Sequence, residues 1–140
     1  MIRDAVGGDA AAIARLLGEL GYPPSAEGVA DLVARYLAAD RSRVQVAEFE
    51  GEVVGLVATH AVLRLDADGV TCRITDIVVA ERVRGRGIGS ALMRAAEEEA
   101  RRAGAPRLDL SSGDWRNDAH RFYARHGFET RARSFTKRLP

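Results

Sequence analysis

The chain has 140 residues, 46% of them hydrophobic and 29% charged, with 14 glycines and 4 prolines, which fits one soluble domain over 1–140 and argues against disorder. A formal net charge of +1 is too close to neutral for a general nucleic-acid binder, although it divides into −5 over 1–69 and +6 over 70–140, which points to a polyanionic small ligand in the second half. The longest candidate apolar run, Val53 to Ala58, is far short of the roughly 20 residues a bilayer needs; no apolar leader follows Met1 and the lone Cys72 has no internal partner, so a cytoplasmic location and no membrane partner are expected.

In chain order, Met1–Arg3 reads as a short strand. Asp9 is placed to cap a helix whose stripe, Ile13, Leu16, Leu17 and Leu20, has the spacing of one buried face. Gly21 and the two prolines after it end that helix. Ser25 can cap a second helix to about Ala38, with Val29, Leu32, Val33, Tyr36 and Leu37 inward. The period then changes. Arg43–Glu50 and Glu52–Leu65 are rich in β-branched residues and meet at a hairpin signal, Phe49-Glu-Gly-Glu. A second turn near Asp66 leads into a strand over Val70–Val79.

After the basic, glycine-rich loop Glu81–Gly89, a helix is expected from about Ile88 to Ala103, with Leu92, Ala95, Ala96 and Ala100 inward, stopped by Gly104 and Pro106. Arg107–Ser111 reads as a strand, Asn117–Arg125 as a helix with Gly127 left-handed past its end, and Phe128–Arg138 as a last hairpin-like strand. The order is β-α-α-β-β-β-α-β-α-β, an α/β (α+β) fold. Its sheet is mixed and mostly antiparallel, flanked by helices, because strand–helix–strand over 70–111 demands a parallel pair. The final strand offers an edge for pairing across a homodimer.

Arg84-Gly-Arg-Gly-Ile-Gly89 is the most informative stretch. Between a strand end and a helix start, free backbone N–H groups and the helix dipole favour an anion. Gly85, Gly87 and Gly89 let the main chain approach phosphate oxygens, while Arg82, Arg84 and Arg86 add charge. A P-loop is excluded, because no Gly-Lys-Ser/Thr follows. A dinucleotide fingerprint fails on spacing: its third glycine would fall at Ser90, despite Asp109 twenty residues beyond Gly89. An ordinary glycine-rich turn is the remaining plain alternative.

Arg84, Gly87 and Gly89 fill the Gln/Arg-x-x-Gly-x-Gly/Ala pattern, Thr75–Val79 precedes it as a strand, and Arg121-Phe-Tyr-Ala-Arg-His-Gly-Phe128 follows. On these motifs and the order of elements, the chain resembles the GNAT superfamily of acetyl-CoA-dependent N-acetyltransferases. Within it, the ending from Asp118 to Lys137 is similar to aminoalkylphosphonate N-acetyltransferases.

The resemblance implies acetyl-CoA as co-substrate, held at its diphosphate by Arg84, Gly85, Arg86, Gly87, Ile88, Gly89 and Ser90. It also implies a strand edge at Ile77, Val78 and Val79 for the pantetheine arm, with an N–H around Ile77 for the acyl oxygen. Tyr123 is then the candidate acid for the departing thiolate, since a phenol with a pKa near ~10 is protonated at neutral pH; the alternative is a tyrosine packed with Phe122 and Phe128. Asp76, an acid in an apolar run, is the candidate base for the amine, directly or through water, with Glu81 and His60 behind it; the alternative is a structural partner for an arginine.

The chain departs from the family pattern at Arg116, where an asparagine contacting the cofactor arm is usual; Arg116 could instead reach phosphate or an acidic substrate. No metal is expected, because His120 and His126 lack metal-ligand spacing, and no Gly-x-Ser-x-Gly marks a serine hydrolase. Glu97–Glu99 with Arg101 and Arg102 reads as a solvated helix face. The implied function is acetyl transfer to a primary amine of a small molecule. A non-catalytic acyl-CoA-binding module and a peptide N-terminal acetyltransferase are the rivals.

Overall fold

The structure, a computed structural model, describes residues 1–21, 24–66, 69–111, 117–131 and 134–140. It divides into two units, Met1–Asp109 and Leu110–Pro140. Within the first, β1 (Ile2–Asp4) pairs antiparallel with β2 (Ser42–Phe49), β2 with β3 (Glu52–Leu63), and β3 with β4 (Val70–Val79). The strands lie in chain order, with β5 (Leu108–Leu110) beside β4 after the crossover helix α3 (Ile88–Arg102), which makes the sheet mixed. β-Branched residues on alternating positions supply both buried faces.

One face carries α1 (Ala10–Glu19) and α2 (Ala26–Ala38). Ile13, Leu16, Val29 and Val33 pack there on Val46, Val54, Leu56 and Val78. Ser25 caps α2 as expected, accepting from the Gly28 N–H at 3.0 Å. Asp9 does not cap α1. Its carboxylate turns back to the Val6 N–H and to both terminal nitrogens of Arg3, a bidentate partner that no helix amide can match. Leu32 and Leu37 are also corrected: they are 49% and 59% exposed, because they flank the narrower stripe of Val29, Val33 and Tyr36.

The opposite face receives α3. Leu92, Met93, Ala96 and Ala100 are buried, while Ala95 is only partly so. Gly55 on β3 lets the helix settle: a Cβ there would stand 3.0 Å from Leu92 Cδ1 and 3.1 Å from the Val78 carbonyl oxygen. Glu99 is not on a solvated face. It bonds Arg102 one turn on and Arg43 on β2, with Asp4 on the other side of Arg43. Burial pushes the Glu99 carboxyl up, but the bonds from Arg102 and Arg43 outweigh it and hold it below the usual range.

Two local features of the sheet position the site. Glu50 (φ 53°) and Gly51 (φ 78°) make the two-residue turn between β2 and β3. In β4, Ile74 pairs with Thr59 and Asp76 with Ala58, so Thr75 is an extra, unpaired residue: a β-bulge.

In the second unit, α4 (Asn117–Arg125) ends as expected with Gly127 at φ 87°, and the Phe128 N–H donates to the Tyr123 carbonyl at 3.1 Å. The last strand expected over 128–138 is not formed among the described residues of that stretch. Phe135 there is 93% exposed.

Candidate functional site

The end of β4, the loop after it and the start of α3 form one continuous device. Val83, buried in the core, pins a 3₁₀ turn over Glu81–Val83, and the Glu81 N–H is held by the Glu19 carboxylate at 2.9 Å. Gly85 and Gly87 then take φ of 82° and 81°, which an L side chain resists. Nothing lies within 4 Å of where a Cβ would stand on either, so the main chain is open to a ligand's close approach.

Gly87 heads α3 without any side-chain cap, and the first intrahelical bond comes only at Ala91, whose N–H donates to the Gly87 carbonyl at 3.0 Å. The amides of Ile88 and Gly89 therefore have no acceptor within the helix, and the positive end of a 15-residue dipole lies beside them. This cradle fits a diphosphate. The arginines are not equivalent. Arg82 is spent on Glu52 at 2.5 Å, Arg86 lies over the Phe49 ring with its guanidinium carbon 5.3 Å from the centroid, and Arg84 donates from Nε to the Val79 carbonyl at 3.3 Å.

That last bond reports which way β4 presents its backbone. The Ala80 N–H donates to Val54 O at 2.7 Å, so the alternation of an antiparallel ladder directs the N–H and C=O of Ile77 and Val79 away from β3. β5 joins β4 where the Cys72 N–H meets Arg107 O at 3.0 Å; β4 then runs seven residues further, to Val79, and β5 three, to Leu110. Among the described residues of Met1–Asp109, no strand pairs with the outer edge of Ile77–Val79. Val78 points its side chain into the core instead.

Asp76 faces the side of the sheet that α1 and α2 cover, with Val78 and Ala80. No arginine pairs with it among the described residues. Its neighbours are a polar group that the sequence reading largely missed. His60 on β3 holds Ser42 Oγ at 2.8 Å through Nδ1, and its Nε2 lies 3.0 Å from Tyr36 Oη and 3.1 Å from Thr75 Oγ1. Burial pushes the His60 imidazole below its ordinary range, while the Asp76 charge pulls the other way. Burial raises the Tyr36 phenol, a Thr75 hydrogen bond opposes that, and the Asp76 charge adds to the rise. One sequence signal existed: Thr75-Asp76 is a polar doublet inside an alternating strand, the mark of a bulge.

Tyr123 lies in the unit Leu110–Pro140, on α4, with its ring edge-on to Phe128 at 6.0 Å between centroids and to Phe122 at 5.8 Å. Glu81 is exposed on the 3₁₀ turn. Arg116 lies outside the described residues. Burial pushes the Cys72 thiol up to about 11, so it carries no thiolate at neutral pH. Among the described residues no cluster of histidine, cysteine and carboxylates could hold a metal, and no helix is long and apolar enough to cross a membrane.

Comparison with known proteins points the same way. The profile of the Acetyltransferase (GNAT) family matches residues 11–128. An aminoalkylphosphonate N-acetyltransferase from Salmonella typhimurium is 45% identical over 89 residues, covering 64% of this chain and 58% of that protein. An IAA acetyltransferase from Azospirillum brasilense is 33% identical over 117 residues, covering 84% of this chain and 72% of its own. The chain spans about half the length of the first curated relatives it matches. A Trypanosoma brucei acetyltransferase crystal structure superposes with a TM-score of 0.81 at 26% identity, covering 99% of both chains.

Proposed function

The chain belongs to the acetyltransferase (GNAT) family, whose co-substrate is acetyl-CoA, and on that premise we propose that it moves an acetyl group from acetyl-CoA to the primary amine of a small molecule by direct attack. The observation that carries this reading is the junction of β4 and α3, where an uncapped helix start behind two left-handed glycines adjoins an unpaired strand edge. Acetyl-CoA supplies the activated thioester, and the chain supplies everything else.

The amides from Gly85 to Gly89, with Ser90 in the first turn of α3, bind the diphosphate, and the exposed guanidiniums of Arg84 and Arg86 add to the attraction. The outward main-chain groups of Ile77 and Val79 take the amide-rich arm as an added strand, with Val78 between them fixing the strand in the core. The Ile77 N–H stabilises the acyl oxygen as its charge grows. Asp76 draws the ammonium to that point, beside the polar groups that can take its proton. Tyr123 protonates the departing thiolate, a transfer that phenol and thiol pKa values of ~10 and ~8.5 permit. Arg116 holds cofactor phosphate or an anionic group of the acceptor.

Similarity to an aminoalkylphosphonate N-acetyltransferase supports an acceptor whose far end is anionic. The raised Cys72 thiol argues against an acetyl-cysteine intermediate. Incubation with acetyl-CoA and a panel of primary amines, aminoalkylphosphonates included, is expected to release free thiol only when both are present. Failure of every amine together with no acetyl-CoA association by calorimetry would overturn the proposal. Association without turnover, unchanged in Tyr123→Phe, would leave an acyl-CoA-binding module instead.

A further inference from the structure

We propose that His60, reached through the hydroxyls of Thr75 and Tyr36, is where the acceptor amine's proton comes to rest, and that Asp76 stays ionised beside it as the counter-charge. The proposal rests on the N-acetyltransfer reading and deepens it at one point, the base.

The argument begins with the bulge. It re-aims Thr75 so that its Oγ1 sits 3.1 Å from His60 Nε2, one residue before the carboxylate expected to meet the ammonium. His60 is fixed from three elements: Ser42 of β2 at Nδ1, Tyr36 of α2 at Nε2, and Thr75 of β4 at Nε2. The Tyr36 ring also leans on the imidazole at 5.2 Å between centroids. A neutral imidazole has one N–H and one lone pair. With the hydrogen on Nδ1 donating to Ser42 Oγ, the Nε2 lone pair faces two hydroxyls, and that is a proton acceptor with a path to it.

The charged and titratable groups facing it are Tyr36 from α2, Asp76 from β4 and Arg73, its cross-strand neighbour on β4. Desolvation keeps the imidazole neutral and ready to accept, while the Asp76 carboxylate favours the imidazolium once it forms. A base works best when its pKa lies near the working pH, and imidazole is the side chain whose ordinary range lies there.

The step balances. The alkylammonium gives a proton to Thr75 Oγ as that hydroxyl hands its own hydrogen to His60 Nε2, and the N–H electron pair stays on nitrogen. That nitrogen bonds to the acyl carbon, the C–S bond breaks as Tyr123 gives its proton to the sulfur, and the nitrogen's second proton restores the Tyr123 phenol, while the proton on His60 passes to solvent.

With acetyl-CoA and 2-aminoethylphosphonate as probes, kcat/KM of the unaltered chain is expected to fall on the acid side with an apparent pKa below the usual ~6.5 of histidine. His60→Gln is expected to lose that limb and roughly hundredfold or more in kcat, with acetyl-CoA affinity by calorimetry unchanged. Thr75→Val should fall less, and its rate should recover in Thr75→Ser. An acid limb kept in a folded His60→Gln, with kcat within about threefold, would overturn the proposal while leaving N-acetyl transfer standing. Absence of turnover by the unaltered chain on any amine would remove both. Nitrogen-15 spectra of the three histidines give a readout independent of variants: His60 should be neutral at pH 7 with its hydrogen on Nδ1. A hydrogen on Nε2, or an imidazolium at pH 7, would overturn the assignment.

Discussion

Asp9 is 7% exposed, yet it accepts from both terminal nitrogens of Arg3 at 2.8 and 2.9 Å and from the Val6 N–H at 2.8 Å. Those bonds, Arg3 first, hold its carboxyl below the usual range. A depressed folded pKa stabilises the native state above the unfolded value of about 3.9, and the benefit disappears as pH falls through the folded value. Asp9→Asn is expected to lose about 1.5–3 kcal/mol at pH 7 by urea unfolding, with the gap to the unaltered chain closing below about pH 4. A gap independent of pH would show that Arg3 is not the cause. At this scale the sequence is only half readable. Asp9 is visibly a capping residue, but its choice of Arg3 over a helix amide depends on where β1 lies. Asp76 and His60 both stand out as polar residues in apolar strands. Tyr36 and Ser42 do not, because α2 and β2 bring them to His60 from 24 and 18 residues away.

Elements were the most legible level, for a physical reason. β4 over Val70–Val79 and α4 over Asn117–Arg125 have the bounds expected, since their limits are written locally by glycines, polar turns and a change of period. What tertiary packing decides was not written there. Leu32 and Leu37 belong to the same apolar pattern as Val29 and Val33, yet the sheet is wide enough to cover only the middle of the stripe. The tight seat of α3 on Gly55 is likewise invisible until the helix is in place. Gly55→Ala is expected to cost about 1–3 kcal/mol, read by thermal unfolding, because the Val78 carbonyl cannot yield as Leu92 can. Since the diphosphate site proposed above lies on the first turn of α3, the same substitution should also weaken acetyl-CoA association by calorimetry. Unfolding lowered with affinity unaltered would show that the helix start does not follow its seat.

For the molecule as a whole, the order of elements and the two sequence motifs together carried the family, which the profile match over 11–128 bears out. The excess of positive charge after residue 70 includes the loop whose left-handed glycines, Gly85 and Gly87, lead into the uncapped start of α3. The expected last strand is the main departure, because basic residues with an occasional apolar neighbour satisfy a strand pattern without supplying a face to bury. Acceptor identity was not legible either. The polar group around His60 is gathered from α2, β2, β3 and β4, and no short motif spans such distances.

Thr75 has a consequence for how this chain tolerates loss. Ile74 and Asp76 already face opposite sides of the sheet, as neighbours in a regular strand would. Excising the residue between them would close the ladder, leave every later partner in place and keep the cradle intact. The shortened protein is expected to melt at the same temperature or higher and to retain acetyl-CoA, while acetyl transfer drops as far as in Thr75→Val; a shortened form as fast as its parent would sink that expectation. Folding would not notice such a deletion. Only catalysis could select against it.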